Sequence, residues 1–144
     1  AVPSGSSMAA AVLLRLAVIT GDADLERRAV TGLRSARQLM TAVPAGAGHW
    51  LSALDFYLST AKEIAVVGNR RAEDTQALVT EVYRHYLPNR VFLGRGSDGP
   101  PLPGIPLVEG REQIEGKPTA YVCQNYVCNL PVTEPTALAQ QLAE

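Results

Sequence analysis

From Met8 to Ile19 the chain is apolar at every position except Arg15. A helix that is apolar around nearly its whole circumference must be covered on more than one side. Ser6 or Ser7 is placed to cap such a helix and Gly21 to stop it in the left-handed region, so a first helix is expected to run to about Thr20. Asp22 or Asp24 then opens a second helix ending near Met40, with Leu25, Ala29, Leu33, Ala36 and Met40 on one face and Arg27, Arg28, Arg34 and Arg37 on the remainder. The Thr20-Gly21-Asp22 junction is short enough to fold the two back as an antiparallel hairpin. A third helix is expected over Gly48 to Leu58, carrying Trp50, Leu54, Phe56 and Tyr57.

The period changes near residue 60. Glu63-Ile64-Ala65-Val66-Val67, closed by Gly68, is a short β-branched run typical of a buried strand. Residues 72–86 pattern as an amphipathic helix with Leu78, Val79, Val82, Tyr83 and Tyr86 inward, and Arg90 to Gly94 is a second strand. Strand, helix and strand at this spacing predict a βαβ unit with parallel strands. Residues 94–118 are rich in glycine and proline and predict a long loop with an apolar anchor at Ile105 to Val108. Thr119 to Val132 alternates as strand material, and Thr133 is expected to cap a last helix with Pro135 in its first turn and Leu138 and Leu142 on its core face. The expected fold class is therefore mixed, α+β or α/β: a helical hairpin and third helix over 1–60, then a small βαβ–hairpin–helix unit over 61–144.

Composition narrows the function classes. The 144 residues carry 13 Lys and Arg against 14 Asp and Glu, a net charge of -1 that argues against a strongly basic nucleic-acid binder. No apolar stretch approaches the roughly 20 residues of a membrane helix. Two cysteines are too few for a disulfide scaffold. The chain starts at Ala1-Val2-Pro3 without an initiator methionine or a basic-then-apolar leader and is read as a piece of a longer polypeptide of the cytoplasm. Each half is thin for independent stability, so the greasy first helix favours the tail of a larger helical assembly over one layered domain.

Candidate chemistry is sparse. If Asn125-Tyr126 forms a two-residue hairpin loop, Gln124 faces Val127 and Cys123 faces Cys128 within disulfide reach. If the strand runs straight, the odd spacing sends the two thiols to opposite faces. Cys123 and Cys128 are thus either a candidate redox pair or two unrelated buried cysteines. Pro3-Ser4-Gly5-Ser6-Ser7 brings three hydroxyls to a helix N-terminus, where Ser4, Ser6 and Ser7 are candidate ligand contacts or simple caps. The Val67-Gly68-Asn69-Arg70 turn has one glycine and no phosphate-loop lysine, which leaves an ordinary strand-to-helix connection as its best reading. His49-Trp50 could pair a base with a stacking surface but fits the core better, and His85 fits an exposed helix end. Asp55 and Glu63 are carboxylates without the paired placement of a glycosidase acid and nucleophile. The two cysteines, His49 and His85 lack zinc spacing, so neither metal nor cofactor is expected.

Several segments together resemble one family. Pro3-Ser4-Gly5-Ser6-Ser7 with its alanine-rich helix, Ala53-Leu54-Asp55-Phe56-Tyr57-Leu58, Glu63 to Gly68, Leu87-Pro88-Asn89, Gly116 to Cys123, and Cys128 followed by Pro131-Val132-Thr133 run in order over nearly the whole chain. They are similar to the C-terminal portion of the thioredoxin-domain-containing proteins of the YyaL and spermatogenesis-associated type. That resemblance implies a parent with a thioredoxin-like domain and an α/α toroid like those of six-hairpin glycosidases and sugar epimerases, to which this chain would supply the last helices and a small α/β appendage. It implies the preceding part of the parent as partner, with a sugar ligand or a homo-oligomer also compatible, and neither nucleic acid nor membrane. The family pattern reads Pro-Ser-Gly-Asn-Ser where this chain has Ser6, so the amide of that motif is missing. The expected function is a fragment without catalysis of its own; the alternatives are a thiol-redox module using Cys123 and Cys128 or a docking module.

Overall fold

The computed structural model describes residues 2–97, 99–100, 102–125 and 127–143. It divides into two compact units, Ala1–Thr60 and Ala61–Glu144.

The first unit is helical. Helices α1 (Gly5–Thr20), α2 (Ala23–Ser35), α3 (Arg37–Ala42) and α4 (Gly48–Leu58) follow in order, with a single 3₁₀ turn at Pro44–Gly46 before α4. The cap of α1 is Ser4 rather than Ser6 or Ser7: its side chain accepts from the Ser7 N–H, and Gly21 ends the helix at φ 69. Asp22 caps α2 by accepting from the Asp24 N–H. The expected continuous second helix is broken at Ala36, which sits at φ -86 and ψ 0 and closes α2 on the Gly32 carbonyl. Two weak helix formers precede the break, and the Ser35 hydroxyl turns back to the Gly32 carbonyl. Gly32 lies beside Trp50, and a Cβ there would sit in ordinary van der Waals contact with the ring at 3.7 Å. Ala10, Leu14 and Ala17 of α1 are buried, and α1 packs on α2 and α4. Arg15, the lone charge of α1, lays its guanidinium 4.4 Å from the centre of the Phe56 ring and donates to the Ala11 carbonyl.

The second unit is a four-stranded mixed sheet in the order β2-β1-β3-β4. Strands β1 (Lys62–Val67) and β2 (Arg90–Arg95) are parallel across α5 (Glu73–Arg84), as the βαβ pattern predicts. Strand β3 (Thr119–Gln124) runs antiparallel to β1, and β4 (Val127–Cys128) antiparallel to β3. The period of two sends Ile64, Val66, Ala120 and Val122 to one face, where they form a core with Leu78 and Val82 of α5 and Leu138 and Leu142 of α6 (Pro135–Ala143). Glu63, Ala65 and Val67 therefore share the opposite face with Tyr121 and Cys123. The long loop is anchored as expected, though by Leu107 and Val108, which are buried.

Two inward assignments on α5 are overturned. Tyr83 is largely exposed and Tyr86, beyond the helix end, is 90% exposed. Leu78 and Val82 already fill the core face, which leaves Tyr83 at the flank, edge-on to Phe92 and under the Arg90 guanidinium. The first residue of α6 is Pro135, whose first turn accepts at Glu134, so Thr133 lies one residue too early to be its cap. Lys62 reaches the other end of α6 and donates to the Gln141 and Leu142 carbonyls at 3.3 and 3.1 Å, a cation at a helix C-terminus.

Two strand-end glycines should respond oppositely to a methyl group. A Cβ on Gly68 would lie 2.5 Å from Thr75 Oγ1 and 2.8 Å from Pro118 Cβ, whereas one on Gly94 meets nothing within 4 Å. Gly68→Ala should lower stability by about 2 kcal/mol and Gly94→Ala leave it within about 0.5 kcal/mol, read from urea midpoints at constant slope.

Candidate functional site

The hairpin register decides between the two readings of the cysteines. Asn125 takes a left-handed φ of 50, Gln124 pairs with Val127, and Cys123 pairs with Cys128. Tyr126, the other predicted loop residue, lies outside the described residues. Cys123 and Cys128 are joined as a disulfide across the ladder, with Cα atoms 3.9 Å apart. Their settings differ: Cys123 is buried, while Cys128 is exposed on the two-residue strand β4.

Sequence reasoning did not anticipate the third member of this site. Arg111, from the long loop, directs Nη2 at both sulfurs, 3.2 Å from Cys123 Sγ and 3.3 Å from Cys128 Sγ. The loop is tied to the odd face of the sheet by several bonds. Arg95 donates to the Arg111 carbonyl at 2.5 Å, and the Ile114 N–H donates to Thr119 Oγ1 at 2.9 Å. The Tyr121 hydroxyl both accepts from the Glu112 N–H at 3.2 Å and donates to the Glu112 carbonyl at 2.7 Å. The same Tyr121 ring lies 5.4 Å beneath the Arg111 guanidinium. No periodic signal marks Arg111, because it sits in an irregular segment and meets the cysteines only through tertiary packing.

The electrostatics are those of a half-covered cation. Burial pushes the Arg111 guanidinium below its usual pKa, while the charges of Glu63 and Tyr121 pull it back up. Glu63 is itself 3% exposed and pairs in register with Cys123 on the neighbouring strand. Arg111 Nη1 and Arg95 Nε are buried without a hydrogen-bond partner among the described residues. A neutral disulfide is a weak acceptor, so the guanidinium faces sulfurs that answer its charge only in part.

The other candidates have local surroundings of their own. Ser4 and Ser7 are engaged with each other: Ser7 donates its N–H to Ser4 Oγ and its hydroxyl to the Ser4 carbonyl at 2.9 Å. Ser7 is buried, whereas Ser4 and Ser6 are exposed. Trp50 is in the core of the helical unit, and His85 Nε2 meets Glu81 Oε1 at 3.1 Å. The β1–α5 turn borders a groove of about 400 Å³ that includes Val66, Val79, Phe92 and Gly94. Glu73 and Asp74 occupy the first turn of α5, which opposes an anion there, and the Arg95 guanidinium bonds the Arg111 carbonyl instead. Among the described residues no group of three or more His, Cys, Asp or Glu could hold a metal ion, and no helix is long and apolar enough to cross a membrane.

Comparison with known proteins gives one consistent result. The chain is similar to spermatogenesis-associated protein 20. Identity is 36% to the Homo sapiens protein and 32% to those of Rattus norvegicus and Mus musculus, each over 97% of this chain. The chain spans only 18% of the length of each of these relatives. No family model and no solved structure matches it.

Removing the Tyr121 hydroxyl should loosen the loop that carries Arg111. Tyr121→Phe is expected to cost about 1 kcal/mol in chemical denaturation. It should also speed limited proteolysis within residues 102–118, because both bonds to Glu112 are lost.

Proposed function

We propose that this chain is a non-catalytic C-terminal portion of a thioredoxin-domain-containing, sugar-epimerase- or glycosidase-like protein of the spermatogenesis-associated type. In this reading 1–60 supplies the last helices of an α/α toroid built mostly by the preceding polypeptide, and 61–144 is a small α/β domain that follows it. The observation that carries it is the outer face of α1. Met8, Val12 and Leu16, one helical turn apart, are 46%, 50% and 40% exposed. An unbroken apolar stripe on a helix without a single acidic residue is a surface built for cover. Similarity to proteins of whose length this chain spans 18% supports the occupant, namely the remaining helical polypeptide of the same protein. A sugar would be the ligand of that whole toroid, with Ser4, Ser6 and Ser7 near its mouth, and the cytoplasm its compartment.

The stripe can be tested in two contexts. Replacing Met8, Val12 and Leu16 by Gln should change the stability of this chain by no more than about 0.5 kcal/mol per site and lower its binding of an apolar dye. In the full-length protein the same triple change should destabilise by roughly 3 kcal/mol, about half the burial energy of three large side chains. Equal melting temperatures for the two full-length proteins would defeat the proposal. For the hydroxyls, sugar binding by the full-length protein should weaken on Ser4→Ala and Ser7→Ala; unchanged affinity would confine both residues to capping.

A further inference from the structure

We infer that Cys123, Cys128 and Arg111 form a thiol–disulfide exchange site whose co-substrate is a dithiol, with Cys128 as the attacked sulfur and Arg111 holding the leaving thiolate of Cys123. The inference is independent of the reading of the helical unit, since it rests on the sheet and its covering loop alone.

Three observations carry it. The link spans a sequence separation of 5 within a hairpin whose register is already fixed by the Asn125 turn, so it ties very little that the ladder does not tie. The two sulfurs are unequally accessible, with Cys128 exposed on the outermost strand of the sheet and Cys123 buried on its neighbour. A nucleophile from solvent therefore meets Cys128. Finally, one guanidinium nitrogen sits at hydrogen-bond distance from both sulfurs, with a neighbouring buried N–H unanswered. A positive charge in that position favours the ionised thiol over the neutral one, and a better-stabilised leaving thiolate departs faster.

The exchange balances as follows. A thiolate of the dithiol attacks Cys128 Sγ and forms a mixed disulfide; the Cys123–Cys128 bond breaks and its electron pair stays on Cys123 Sγ, against Arg111 Nη2. The second thiol of the reagent, having lost its proton to water, attacks its own sulfur in the mixed disulfide and expels the Cys128 thiolate, which takes a proton from water. The dithiol is oxidised to a cyclic disulfide by two electrons, and the protein disulfide is reduced to the Cys128 thiol and the Cys123 thiolate that Arg111 holds. Charges facing the reacting sulfurs are Arg111 and, behind it, Glu63, with the Tyr121 ring under the guanidinium. Glu63 opposes a second negative charge and so moderates what Arg111 supplies.

The two charges therefore make opposite predictions. Dithiothreitol reduction of the full chain under native conditions, followed by mass after alkylation, should be slowed about tenfold at neutral pH by Arg111→Met. It should be largely restored in Arg111→Lys and accelerated severalfold by Glu63→Gln. A folded Arg111→Met protein reduced at the wild-type rate, or a wild-type disulfide that resists the reagent until the chain unfolds, would overturn the inference. If Arg111→Met fails to fold, the pH profile of iodoacetamide alkylation of the reduced wild-type chain decides: a reactive thiol ionising below about 8.5, the free-cysteine value, upholds it, and one ionising at or above that value overturns it.

Discussion

Strand β1 is bonded on both edges and buried on both faces, and the second unit is organised around satisfying it. Its partners are β2 on one side and β3 on the other. Glu63 to Val67 are all buried. A strand so enclosed needs two covers, and the chain provides them by different means. One cover is α5 with α6, whose Leu78, Val82, Leu138 and Leu142 give an ordinary apolar core. The other is an irregular glycine- and proline-rich loop pinned by Leu107 and Val108. A loop brings its unpaired backbone groups with it, and these must be answered where they land. Thr119, Tyr121 and Arg95 answer them, which explains why the odd face of the sheet is polar and why a carboxylate and a guanidinium are found beside a disulfide.

What was legible in the sequence follows from the range of the interactions involved. The apolar run of β1, the amphipathic period of α5 and the left-handed stop at Gly21 are local, and the structure reproduces them. The cysteine pairing was legible only as a fork, since eight residues allow either a hairpin or a straight strand; the left-handed conformation of Asn125 takes the hairpin branch. The interruption of the second helix at Ala36, where Ser35 turns its hydroxyl back to the Gly32 carbonyl, has no counterpart in the apolar period, which runs on through Met40. Tyr83 looks apolar in the helical pattern, yet the α5 residues that reach the core are Leu78 and Val82, with Val79 packed against them. Arg111 left no local trace, because nothing in a loop without periodicity says which side chain will reach the sheet.

The helical unit presents the complementary problem, an element too apolar for its immediate surroundings. Helix α1 buries Ala10, Leu14 and Ala17 on one side, and the small size of two of these lets α2 and α4 approach closely. That arrangement leaves three large apolar residues, Met8, Val12 and Leu16, outward. A helix evolved for a water-facing surface would have the reverse distribution, with its large apolar groups inside and short or charged ones outside. The Ser4 cap, meanwhile, satisfies one first-turn donor, the Ser7 N–H, from within the chain's own opening segment.

Comparing Arg15 with Arg111, both partly buried, shows why the second of them suggests chemistry. Burial pushes the guanidinium of each below its usual pKa. Arg15 is answered by the face of Phe56 and the carbonyl of Ala11, groups that hold a cation without changing state. Arg111 is aimed at two sulfurs that are neutral when joined and, once parted, can bear the charge it lacks. The first arrangement is complete as it stands. The second becomes more complementary after a bond breaks than before, and stabilising the product of a bond cleavage more than the reactant is what separates a reactive disulfide from a structural one.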